Sequence, residues 1–127
     1  MITIEGDRQS GKTETLISIA VADALRGRRV LYVTYLQGVA TNTFQIADEI
    51  PSGCVRQICR SVGDQRIDLT NGGLIDVRTV TGPGQCIHVD TLILDDADQY
   101  DDHRIVDVMP CVVNAPDPRV YIARSRA

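Results

Sequence analysis

Gly6-Asp7-Arg8-Gln9-Ser10-Gly11-Lys12-Thr13 decides the reading of this chain. A glycine, four variable residues, a second glycine, a lysine and a threonine fill every fixed position of the phosphate-cradling loop pattern. The flanks agree. Ile2-Thr3-Ile4-Glu5 alternates like a short strand, and residues 11–26 carry Leu16, Ile17, Ile19, Ala20 and Leu25 at helical spacing. Gly27 follows as the expected helix C-cap.

The residue types have physical reasons. Gly6 and Gly11 let the backbone turn tightly and approach a phosphate with no Cβ in the way. The amides from Gly6 through Asp7, Arg8, Gln9, Ser10 and Gly11 to Lys12 and Thr13 then face an anion, with Thr15 one step into the helix. The helix adds the positive end of its dipole. Lys12 is expected to reach the β- and γ-phosphates as a compact point charge, and Thr13 to offer its hydroxyl to Mg2+. Of thirteen Lys and Arg residues, Lys12 is the only lysine. The planar fork of arginine does not reproduce that point charge, so the one lysine stands where the chemistry needs it.

A second stretch completes the set. Val89-Asp90-Thr91-Leu92-Ile93-Leu94-Asp95-Asp96 is an apolar strand ending in two acids, the Walker B pattern. Asp95 is placed to hold Mg2+, and Asp96 to orient or deprotonate an attacking water. In a parallel sheet these acids lie at the carboxyl end of the strand, on the same edge as the phosphate loop.

The chain of 127 residues reads as a single domain spanning 1–127. A net charge of −4 argues against a concentrated basic face for nucleic-acid backbone, although a local patch is compatible with it. With no membrane span or signal peptide in the pattern, the expected location is the cytoplasm. Cys54, Cys59, Cys86 and Cys111 lack paired C-x-x-C spacing and read as free, mostly buried thiols. His88 and His103 read as structural or surface residues.

The remaining elements follow in order. Arg28-Arg29 reads as solvated surface, and Val30 to Tyr35 as a buried parallel strand. Val39 to Ile50 reads as a second helix, broken by Pro51-Ser52-Gly53, and Cys54 to Ser61 as a short third helix with Arg56 and Arg60 on one solvated face. Residues 66–70 and 74–78 around Asn71-Gly72-Gly73 form a hairpin signal that favours a primed turn. Residues 81–84 read as a loop, Asp101 to Val108 as a short helix, and Arg119 to Ala123 as the last strand. The fold class expected is α/β. It is a three-layer sandwich around a mainly parallel, RecA-like P-loop NTPase sheet with a small β-hairpin insertion.

The chain resembles the ATPase domain of phage terminase large subunits. The resemblance rests on Arg8-Gln9 with Gly11-Lys12-Thr13 in the loop and on the Asn71-Gly72-Gly73 segment before the acid-ended strand. It rests further on Gly84-Gln85 leading into that strand and on Ser125 after the last strand. It implies a Mg2+-dependent ATPase linked to DNA packaging or translocation. Arg8 would act as an arginine finger in cis, and Ser125 would lie near the coupling motif. The implied partners are ATP, double-stranded DNA or another phage packaging protein and other copies in an oligomer, with no membrane and with host cytoplasm as the location. Three departures are expected: Asp96 stands where the family carries Glu, an upstream adenine-recognition segment is missing, and the domain is a minimal core without the further strand and the nuclease domain. Two other readings remain open at this point. One is a nucleotide-gated binding or regulatory module with little turnover; the other is a helicase-like half-domain that needs a partner to close its site.

Overall fold

Val30-Leu31-Tyr32-Val33 is buried on both faces, and this strand divides the core in two. The computed structural model describes residues 2–6, 12–34, 36–61, 64–79, 88–95, 112 and 115–125. Among them run β1 (Ile2–Gly6), α1 (Lys12–Leu25), β2 (Arg29–Thr34) and α2 (Leu36–Glu49). Then follow β3 (Val55–Ser61), β4 (Asp64–Leu69), β5 (Leu74–Thr79), β6 (Thr91–Leu94) and β7 (Arg119–Ser125).

The strands form one seven-stranded sheet in the order β1-β7-β6-β2-β5-β4-β3. From β1 to β5 every neighbouring pair is parallel, whereas β5, β4 and β3 form an antiparallel meander. The fold is therefore α/β with a mainly parallel core, as expected. The antiparallel hairpin is joined to the core sheet: β5 pairs with β2 in parallel and carries the sheet onward to β4 and β3.

Strand alternation sends successive side chains to opposite faces. Val30 and Tyr32 of β2, Ile93 of β6 and Ala123 of β7 face one side, where they meet Leu16, Ile17, Ala20, Val21 and Ala24 of α1 and Ile46 of α2. Leu31, Val33, Leu92, Leu94, Val120 and Ile122 face the other side with Val89 and Val112. The helix expected over residues 101–108 and the loop over 81–84 lie outside the described residues, as do Cys86, His103 and Cys111. Among the described residues no helix is long and apolar enough to cross a membrane. His88 is exposed, and Cys54 and Cys59 are half-buried rather than deep in the core.

Three expectations need correction. The third helix over residues 54–61 is strand β3. Its register against β4 shifts between Val55 and Gln57, so two residues of β3 oppose one of β4. That extra residue brings Val55 and Ile58, three apart, to the same core-facing side, and such spacing imitates a helix. Arg56 is accordingly on an edge strand, not on a helix face.

The hairpin turn is longer than a two-residue primed turn. Gly72 N–H donates to Leu69 O at 3.2 Å and Leu69 N–H to Gly73 O at 2.9 Å, which closes a three-residue loop. Gly72 takes φ +90 at the last loop position, as loops of this length require.

The third correction concerns Arg28. Its side chain is only 16% exposed and is tied down on several sides. Nε donates to Thr91 Oγ1 at 3.0 Å, and one terminal nitrogen donates to Asp90 O at 2.6 Å and Asp117 O at 2.7 Å. It is a strut between α1, β6 and the approach to β7. Arg29 beside it is exposed, as expected.

The end of α1 shows why the hairpin tip lies where it does. Gly27, at φ +85, donates to Ala24 O at 2.9 Å and Arg28 N–H donates to Asp23 O at 3.1 Å. This is the Schellman pattern. Asn71 Nδ2 adds donors to Ala24 O at 3.2 Å and Leu25 O at 2.9 Å, so orphan helix carbonyls are capped from the hairpin. A Cβ at Gly73 would lie 2.2 Å from Ala24 O, so only glycine allows this close approach.

Candidate functional site

Parallel pairing puts the carboxyl ends of β1, β7, β6 and β2 on one edge of the sheet. Gly6 ends β1 and Asp95 follows the last residue of β6, so the start of the phosphate-loop pattern and the first acid share that edge. Lys12 is the first residue of α1, and Thr13 lies in its first turn. The helix N-terminus therefore opens at the same edge. Because the strand leads through the glycine-rich segment straight into the helix, these groups converge by chain connectivity alone.

Side-chain contacts close the arrangement. Thr13 Oγ1 donates to Asp95 Oδ2 at 3.0 Å across 82 residues of sequence. Tyr32 OH, from the middle of β2, donates to the same oxygen at 2.7 Å. The Asp95 amide donates to Val33 O at 2.9 Å, which anchors the residue to β2. Asp95 is 1% exposed, so its carboxylate is held inside the edge and not on the surface. Next to it Asn42 Nδ2 of α2 donates to Thr34 Oγ1 at 3.3 Å, and both residues are buried. The carboxyl edge thus buries a set of oxygen-bearing side chains under the N-terminus of α1.

The donor chemistry fits a hard cation. A hydroxyl and a carboxylate are oxygen ligands of the kind Mg2+ takes, commonly with only one or two protein groups beside phosphate and water. Among the described residues, no group of three or more His, Cys, Asp or Glu could hold a metal ion. Thr13 spends its one proton on Asp95, so its lone pairs point elsewhere.

Of the residues singled out by sequence, Gly6, Lys12, Thr13 and Asp95 are gathered at this edge. Thr15 is exposed on the first turn of α1. Asp7, Arg8, Gln9, Ser10, Gly11 and Asp96 lie outside the described residues. Ser125 does not follow the last strand; it is the final residue of β7 and pairs in register with Gly6. β7 runs further than its apolar core because the parallel ladder with β1 continues to the loop. Sequence reading passed over Tyr32, Thr34 and Asn42. A hydroxyl-bearing ring inside an otherwise aliphatic buried run was the available signal for Tyr32.

The sequence matches no protein-family model and no curated protein. Solved structures do match in shape. One is the ATPase domain of the large terminase of a Thermus phage, in a mutant form, with a TM-score of 0.72 and 14% identity. It covers 98% of this chain and 60% of that one. Another is the large terminase of a thermophilic bacteriophage, with a TM-score of 0.68 and 11% identity, covering 96% of this chain and 33% of that one. The chain has the fold of the phage large terminase ATPase domain, and it spans 60% or less of the length of these two proteins.

Proposed function

We propose that this chain, built on the terminase ATPase fold, binds ATP with Mg2+ and hydrolyses it as the core of a phage DNA-packaging or translocating motor. One observation carries the reading: the Thr13 hydroxyl reaches Asp95 at 3.0 Å on the edge where the phosphate-loop pattern opens. The pattern by itself is a sequence match. The contact supports placing its last residue and the acid-ended strand around one small volume.

In this reading the amides of residues 6–13 cradle the phosphates, and Lys12 offsets charge on the β- and γ-phosphates. Thr13 and Asp95 would hold Mg2+, which when bound would neutralise charge developing on the transferred phosphoryl group. Asp96 orients the attacking water and accepts its proton, while Arg8 stabilises the phosphoryl oxygens in cis. Catalysis of this type is mostly positioning and electrostatics, so few groups need to move. Ser125, which pairs in register with Gly6, couples the state of the loop to the rest of the sheet in this reading. Double-stranded DNA or a packaging partner, and other copies of the chain, are the proposed partners, and the host cytoplasm the proposed location.

A second reading has its own support. Asp96 is one methylene shorter than the Glu of the family, which favours a nucleotide-gated module with little turnover. The test is steady-state phosphate release with and without double-stranded DNA, for wild type, Lys12→Ala and Asp96→Ala. The motor reading expects turnover that DNA raises and that both substitutions remove. Tight ATP binding with no release under any condition selects the gated module. Equal rates in wild type and Asp96→Ala reject the assigned base.

A further inference from the structure

We propose that Tyr32 is a positioning residue for Asp95: its hydroxyl holds the carboxylate in the orientation that receives Mg2+. The proposal rests on the reading of Thr13 and Asp95 as the metal pair.

Packing alone does not require a tyrosine here. Tyr32 is 0% exposed in β2, and its buried strand neighbours Val30, Leu31 and Val33 are aliphatic. A phenylalanine would fill nearly the same space without a hydroxyl to satisfy. A buried hydroxyl is costly unless it is hydrogen-bonded. At Tyr32 it is bonded, to a carboxylate that is itself buried, at 2.7 Å. Hydrogen bonds to a charged acceptor are short and about twice as strong as neutral ones.

The geometry gives the contact a directing role. The ring is packed in the core cluster with Leu16, Ile17 and Ala20 of α1, so the position of the hydroxyl is set by the core. Thr13 approaches the same oxygen, Oδ2, from the first turn of α1. Two donors from different elements converging on one oxygen fix the rotation of the carboxylate. Thr13 is itself proposed as a metal ligand, whereas Tyr32 bears on the site through its bond to Asp95. Mg2+ demands near-ideal octahedral geometry and sheds its water reluctantly. A carboxylate already turned to the right angle loses less freedom when the ion arrives.

The test uses the whole chain with a fluorescent ATP analogue at fixed concentration, titrated with Mg2+, and again in EDTA. Wild type, Tyr32→Phe and Asp95→Asn are compared. Tyr32→Phe is expected to need about 10-fold more Mg2+ for half-maximal uptake, the scale of one charge-assisted hydrogen bond. Its metal-free uptake should match wild type. Coincident Mg2+ curves for wild type and Tyr32→Phe, with Asp95→Asn shifted, would overturn the proposal and leave Tyr32 as packing. A wild type whose uptake ignores Mg2+ would overturn the metal reading itself. Should Tyr32→Phe fold poorly, wild type labelled with fluorotyrosine gives the second measurement. The Tyr32 resonance, assigned by eliminating the other tyrosines, should move on adding Mg2+ to the ATP-bound protein. No movement contradicts the proposal.

Discussion

Two carboxylates are buried near opposite ends of α1, and their surroundings differ in kind. Asp23, in the last turns of the helix, is 2% exposed at the amino edge of the sheet. Thr91 Oγ1 donates to it at 2.8 Å, and guanidinium nitrogens of Arg26, Arg28 and Arg119 stand 3.7, 3.7 and 3.6 Å away. Asp95 is 1% exposed at the carboxyl edge, and the hydroxyls of Thr13 and Tyr32 both donate to its Oδ2. Arginines neutralise a buried carboxylate within the protein; hydroxyls orient one and carry no charge. The amino edge is thus a closed structural knot that ties α1 to β6 and β7. At the carboxyl edge the contacts described to Asp95 come from hydroxyls, so the two sites differ in the chemistry of the groups that meet the carboxylate.

Breaking the knot should have the largest effect. Asp23→Ala leaves clustered guanidinium groups without their carboxylate, and removing one member of a buried ionic group costs about 3–5 kcal/mol. Urea unfolding should show that loss, while the fraction that remains folded binds Mg2+ and ATP as wild type does. At the other edge, Asp95→Ala should weaken Mg2+-dependent ATP uptake about 100-fold, equivalent to about 2.7 kcal/mol. Equilibrium binding checks it, and a smaller stability loss than that of Asp23→Ala sharpens the contrast. Asn71→Ala removes the cap on the α1 carbonyls, and about 1 kcal/mol of stability is expected to go, with ATP binding unaltered.

The smallest effect concerns pH. Asp23 first, and then Asp117, raise the Arg119 guanidinium above its ordinary value, while burial opposes them. A raised base contributes its stability fully below its unfolded value and loses it only as pH climbs through the folded one. Both values lie in strong alkali, so the stability gap between wild type and Arg119→Gln should stay flat from about pH 5 to 9. Urea midpoints across that range check it.

The same contrast explains what could be read from sequence. The strand ends at the carboxyl edge were legible: Gly6 closes β1, and the apolar run Leu92-Ile93-Leu94 forms β6 with Asp95 directly after it. The parallel core was legible from continuous apolar runs such as Val30 to Val33. The amino edge was not, because Thr91 and Arg119 lie far in sequence from Asp23 and Arg28, and each alone looks like a solvated polar residue. Strand β3 was misread because its bulge gives Val55 and Ile58 a helical interval. Tyr32 was hidden for a related reason: the partner that gives its hydroxyl a role lies 63 residues away.

Calorimetry of ATP binding in the presence and absence of Mg2+, on wild type and Asp95→Asn, tests the central claim most directly. The account predicts uptake by wild type that Mg2+ strengthens, and loss of that strengthening in Asp95→Asn. No uptake by wild type, or uptake that Mg2+ strengthens equally in both proteins, would contradict it.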